Sequence, residues 1–426
     1  MGLFMSAGTL RTLNSSKEGF SSVYIVIMLS SLLYLIFCVT EASTGYAASA
    51  ISEEVAALAC RSVMSEYDRD LYSRYGVFAT ALEDEEMAAL AKHYIDESIK
   101  GEGLVTRMRS GRVSASSIGY EGTQLQPFKT QISQLGTLCA ARCAAKESDI
   151  FAGLAAAAGV CDDTFRYELS RIKNEPPPEP PDEGSDEAEG WEDPTAEGRR
   201  QAGRLLGDYD RAVSAGGSPS LLLSMGHRDI SGDALAIDEY ILCQCGRITK
   251  TASGPALALE VEYIMYGYPD DSANQSCVRS SLFWTRMPIN TAKILQDPRR
   301  MAEIEAIAAA FTAVPYPVAF AAVLATYAAA DSNGDVSRIL AGETVPLIDS
   351  LPAFGDYDDY LRLLLLAVPE EKKLARLMDV MQRNIDGLSF RDLSFGFTLE
   401  AEFEKRCYAP GFEPRKRIVT QTHVYK

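Results

Sequence analysis

Histidine is scarce: the 426 residues hold three, His93, His227 and His423. None belongs to a His-Glu-x-x-His helix, and the chain has no Gly-x-Ser-x-Gly elbow and no glycine-rich phosphate loop. His227, in Ser224-Met225-Gly226-His227-Arg228, is the best isolated candidate for a base, and a surface loop explains it as well. Basic residues are outnumbered, 41 Lys and Arg against 59 Asp and Glu, for a net charge of −18. Nucleic-acid binding needs clustered cations, so no nucleic-acid partner is expected. The nine cysteines are scattered. Cys139 and Cys143 lie a helical turn apart, and Cys243-Gln244-Cys245 is spaced as on a strand, but neither pair has a second pair or a His at zinc spacing. Buried free thiols, or one or two disulfides in an exported domain, are the remaining readings. No metal and no cofactor is expected.

What the chain does have is a long apolar run, Phe20 to Thr40, uncharged from Val23 onwards. At 1.5 Å rise per residue this approaches the ~20 residues that cross a bilayer. A transmembrane helix is therefore expected over 20–41, after a leader at 1–19. Three readings of it compete. A cleaved secretory signal has a shorter apolar stretch, although Ala47-Ala48-Ser49-Ala50 imitates its cut site. An uncleaved anchor needs nothing more. The third is a prepilin-type signal: a polar leader with Arg11 and Lys17, then Gly19-Phe20 as the cut, then the apolar run continuing into an amphipathic helix. Tyr24 stands where pilin-like sequences carry a glutamate. Arg11 and Lys17 before the run, against Glu41, Glu53 and Glu54 after it, orient the N-terminus to the cytoplasm and the bulk outside.

Beyond the run, 42–173 reads as a membrane-proximal domain. It is helical to about Lys100 with a break at Gly76, a strand or hairpin over Leu104–Tyr120, then helical from Phe128 to Lys173. Residues 174–198 form an acidic, proline-rich stretch with five prolines within Pro176–Pro181 and no basic residue. It cannot bury enough apolar surface to offset its ordering entropy, so a disordered linker is expected there, with Trp191 inside it. An acidic segment binding calcium or a basic partner is the functional alternative. The rest, 199–426, reads as a second α+β domain. Helices are predicted over Arg199–Leu223, Asp233–Gln244, Ser276–Leu295, Met301–Ala313, Val318–Ala328, Val336–Leu340 and Tyr357–Ile385. Ala256–Tyr266 alternates as a strand. Phe395–Tyr408 and Arg415–Tyr425, joined through Ala409-Pro410-Gly411, form a terminal hairpin that would pair with it.

The acidic residues invite two further readings. Asp331-Ser332-Asn333-Gly334-Asp335 spaces oxygens like a calcium loop, but Val336 and Gly342 stand where glycine and a bidentate glutamate belong. A turn at Asn333-Gly334 with Asp335 capping a new helix accounts for the same letters. Glu260, Glu262, Glu303 and Glu305 lack a second cue for paired-carboxylate hydrolysis.

Several phrases occur together: Glu66-Tyr67-Asp68-Arg69 with Tyr75-Gly76-Val77-Phe78; Glu260 to Gly267; Arg279 with Ser280 to Thr285; Leu340 to Leu347; Tyr357 to Leu363; and Arg376-Leu377-Met378-Asp379. As a set, over most of 17–408, they resemble an uncharacterised family of Gram-positive bacteria, a domain of unknown function carried beside genes for tight-adherence (Tad) type IV pili. That resemblance implies one N-terminal span, an exported α+β domain and a role as a minor pilin-like or accessory component, and it supplies no catalytic residues. The expectation is a mostly helical α+β protein. Its N-terminal transmembrane helix continues into a long amphipathic helix, with a small antiparallel sheet in the exported domain. It would be a non-enzymatic, single-pass component of a pilus or surface assembly at the plasma membrane. Its partners would be membrane lipid, other pilin-like subunits and a prepilin peptidase. A surface-anchored receptor with the linker as spacer is the alternative, and a membrane-tethered hydrolase the poorer third.

Overall fold

The computed structural model describes residues 9–100, 107–143, 232–251, 257–311, 316–347, 355–407 and 413–425, with isolated helical positions between 166 and 211. The fold is α+β and mostly helical, with one three-stranded antiparallel sheet among the described residues. The chain divides into two compact units.

The first unit takes residues from 1–69, 78–124 and 391–425. Helix α1 (Thr9–Val63) is a single helix of 55 residues. Its second half turns Ala48, Val55, Ala56, Ala59, Cys60 and Val63 into a core, the three- and four-residue steps of one helical face. Helix α2 (Arg69–Tyr75) follows, nearly all of it in the second unit. Helix α3 (Asp84–Ile99) begins at a capping box in which Glu83 and Glu86 satisfy each other's backbone amides, and it adds Met87, Ala91 and Ile95 to that core. The floor is the sheet: β1 (Met108–Ser116), β2 (Gly396–Lys405) and β3 (Arg415–Val424), in the order β1-β2-β3. Strand β2 is central, and its alternate residues Phe397, Leu399, Ala401 and Phe403 are buried, as a one-faced sheet requires.

The second unit takes 70–77 and 125–390. It contains α4 (Leu125–Cys143), α5 (Gly232–Gln244), α6 (Glu260–Tyr266), α7 (Asp271–Gln296), α8 (Pro298–Ala310), α9 (Tyr316–Leu340), α10 (Tyr357–Leu365) and α11 (Glu370–Asn384). Helices α7, α8 and α9 share an apolar cluster of Met287, Ile294, Ile304, Val318, Leu324 and Ala328.

Several expectations are corrected. Where a strand is predicted over Ala256–Tyr266, Glu260–Tyr266 is helix α6, ended by Gly267 at φ 77° with its N–H on Tyr263 O. The terminal hairpin therefore pairs elsewhere, with β1, in a register running from Met108↔Lys405 to Ser116↔Thr398. That pairing also undoes consecutive domains at 42–173 and 199–426. Strand β1 alone would leave a row of open backbone groups, and the chain's last strands satisfy it. Helix α4, from the first half of the sequence, belongs instead to the second unit. Helix α1 ends at Val63, well before Gly76. The stretch 331–335 is no turn, because α9 runs through it. Pro369 divides Tyr357–Ile385 into α10 and α11. Cys243 ends a helix rather than alternating on a strand. His227, Trp191, Ala409-Pro410-Gly411, most of 144–231 and nearly all of the 174–198 linker lie outside the described residues.

Candidate functional site

Between Ser22 and Thr40, α1 touches little. From Val23 to Val39 its large apolar side chains are between 48% and 62% exposed. It is the one helix among the described residues long and apolar enough to cross a bilayer. Three of its hydroxyls make no demand on solvent. Ser30 Oγ donates to Val26 O at 2.7 Å, Ser31 Oγ to Met28 O at 2.8 Å and Thr40 Oγ1 to Ile36 O at 2.8 Å. Each hydroxyl is thus satisfied by its own helix, the arrangement that hydrocarbon tolerates.

The change of environment is abrupt. Glu41, 4% exposed, accepts from Lys405 Nζ at 2.5 Å. The same ammonium donates to Thr44 Oγ1 at 2.8 Å and reaches Glu41 O at 3.3 Å. Three acceptors surround its three protons, so the buried charge is fully paired. Immediately after the apolar run, the helix is thereby fastened to the end of β2. Gly19 and Phe20, the predicted cut, lie within α1, and the small residues Ser30, Ser31, Ala42 and Ser43 are exposed along it.

Of the acidic residues considered for hydrolysis or calcium, Glu260, Glu262, Glu303, Asp331 and Asp335 have structural partners. Glu260 Oε2 accepts from Gly246 N at 2.7 Å, and its other oxygen accepts from Asn384 Nδ2. Glu262 Oε1 accepts from Ile248 N at 3.1 Å and from the Tyr357 hydroxyl. Burial pushes the Glu262 carboxyl upward against those bonds. Together the two glutamates hold the turn at 246–250. Asp331 pairs with Arg300 of α8, and Asp335 accepts from Arg286 Nη2 at 2.6 Å. Arg286 is 1% exposed and also donates to Pro346 O at 2.9 Å. Glu303 accepts from the Tyr327 hydroxyl at 2.9 Å.

His93 is exposed on α3 beside Tyr94. His423 lies on β3, where partial burial and Arg61 lower its pKa. Cys38, Cys60, Cys243, Cys245, Cys277 and Cys407 are in no disulfide. Burial pushes the Cys60 thiol up to about 12 and Cys245 well above its ordinary value, so neither is a ready nucleophile. A cleft of about 370 Å³ in the second unit is lined by Tyr266, Cys277, Ser281, Trp284, Lys372 and Arg376. Arg376 is committed there to the last carbonyls of α6, Ile264 O and Met265 O.

Sequence reading missed Lys405, Glu41 and Arg286 as organisers. Lys405 carried a signal: it continues the inward-facing series Phe397, Leu399, Ala401, Phe403, where a lysine must be buried with a partner.

Residues 208–354, about a third of the chain, match a family of unknown function (DUF5702). The matched stretch holds Glu260–Gly267, Arg279–Thr285, Asp335 and the segment to Leu347. Neither a curated protein nor a solved structure matches the chain.

Proposed function

We propose that this protein is a non-enzymatic, single-pass component of a tight-adherence pilus or related surface assembly, anchored in the plasma membrane by the first half of α1. Its leader lies in the cytoplasm and both units outside. The observation that carries the reading is α1 itself: one unbroken helix, apolar and exposed to Thr40, then packed on a sheet from Ala48 to Val63. A signal cleaved near Ala50 would remove Glu41 and Ala48, both already part of the folded unit. Exposed Ser30, Ser31, Ala42 and Ser43 allow close approach of neighbouring helices. A surface-anchored receptor is the second reading, supported by the aromatic and basic cleft of the second unit.

Mass spectrometry of the protein extracted from its own membranes tests this. A mature N-terminus at Phe20, lost when Gly19 is replaced, is the expected result and supports pilin-type processing. An intact Met1 keeps the anchor but removes that processing. A start near Ser49 or Ile51 overturns the anchored reading altogether.

A further inference from the structure

Strand β3 starts Arg415-Lys416-Arg417 and runs beside α1 in the same direction. Arg415 Nη1 lies 3.6 Å from where a Cβ on Gly45 would sit, Arg417 pairs with Glu53, and the Tyr425 hydroxyl donates to Met64 O at 2.8 Å. The end of the sheet nearest the apolar run is therefore where β3 begins, β2 ends and β1 begins. Across it the register aligns Met108, Lys405 and Arg415 on one face and Arg109, Glu404 and Lys416 on the other, with Arg406 just beyond. The opposite end aligns Ser116, Thr398 and Thr422. A chain of net charge −18 thus gathers cations at one end of one sheet.

Some of these cations are occupied: Lys405 by Glu41, Lys416 by Glu402 and Arg417 by Glu53. Arg109, Arg406 and Arg415 have no acidic partner among the described residues, and all three are exposed. Beside Arg415 a cavity of about 280 Å³ is lined by small α1 residues, Gly45, Ala48, Ser49 and Ser52, and by Lys405. Gly45 lies five residues past Thr40, about 7 Å along the helix, within the ~10 Å over which a charged surface is felt.

We propose that this end of the sheet docks on the anionic headgroups of the leaflet from which α1 emerges, with Arg109, Arg406 and Arg415 as the contacts. Guanidinium groups match phosphate oxygens in pairs, and basic groups held at this depth are drawn to anionic lipid. The docking rests on the reading that α1 spans a membrane. It would hold the first unit upright on the bilayer rather than letting it swing on its stem.

The test uses the full chain in nanodiscs of zwitterionic lipid, with or without an anionic phosphoglycerolipid, carrying a photoreactive phenylalanine analogue at Leu32 or at Pro414. The Leu32 probe should form lipid adducts in both discs, reporting insertion. The Pro414 probe should form adducts several-fold more strongly in anionic discs, and the gain should vanish when Arg109→Gln, Arg406→Gln and Arg415→Gln are combined. Adducts at Leu32 with none at Pro414, or Pro414 adducts indifferent to lipid charge or to the triple change, overturn the docking. No adduct at Leu32 overturns the membrane reading beneath it.

Discussion

Buried charge is the theme at the scale of single residues. Lys373 Nζ donates to Asp238 Oδ1 with both side chains almost wholly inaccessible, while Asp238 Oδ2 has no partner. Burial raises the Asp238 carboxyl from 3.8 to about 6, against the pull of Lys373 and with help from Glu239 and Glu370. The folded protein therefore holds this proton to higher pH than the unfolded chain does. Between 3.8 and about 6 the folded state binds more protons, so this group's contribution makes stability fall as pH rises through that window and stay flat above it. Asp238→Asn should remove that slope, with a difference across the window of up to ~3 kcal/mol. The unpaired Lys373 adds a separate penalty that does not follow the Asp238 titration. Hydrogen exchange of α5 and α11 at several pH values reads the slope. If the variant keeps the wild-type slope in these helices, Asp238 does not hold the proton.

At the scale of elements, glycine has opposite meanings on two helices. A Cβ on Gly136 of α4 would lie 1.8 Å from Ala236 O on α5, a backbone atom that cannot swing away. On Gly334 of α9 it would meet nothing within 4 Å. Gly136→Ala should therefore force the crossing apart and destabilise the second unit by ~1–3 kcal/mol. Gly334→Ala should stabilise α9 by ~0.5–1 kcal/mol, since alanine replaces glycine inside a helix. Thermal unfolding of the two variants should move in opposite directions, and a shift of the same sign in both would refute the packing argument.

Gly334 also marks the limit of what the sequence can tell. Long periodic elements were legible: α1, α3, α5, β1 and the terminal hairpin all follow their hydrophobic spacing. Helix α6 was not, because Glu260 and Glu262 alternate with apolar residues as if facing water, whereas both are buried as acceptors for the amides of Gly246 and Ile248. Nor was the continuity of α9. Asn333-Gly334 is a turn signal locally, and it is overridden because Asp331 and Asp335 reach Arg300 and Arg286 from a continuous helix. Of the candidate site, the exposed apolar helix was readable from composition alone. Its fastening through Glu41 and Lys405 was not, since it joins residues 364 apart in sequence.

For the whole molecule, the consequence is that the chain's beginning and end fold together. The first unit is complete only when β2 and β3 have been made and have paired with β1, so the residues between them are released as an insertion within it. Truncating the chain before Gly396 would remove the centre and one edge of the sheet on which α1 rests. The proposed topology displays both units outside the cell. Protease added to intact cells tests this most directly. Both units should be degraded while a small fragment containing Ser22–Thr40 stays with the membrane. Full-length protein that survives until the cells are lysed, or chain found free in the medium before protease is added, would contradict it.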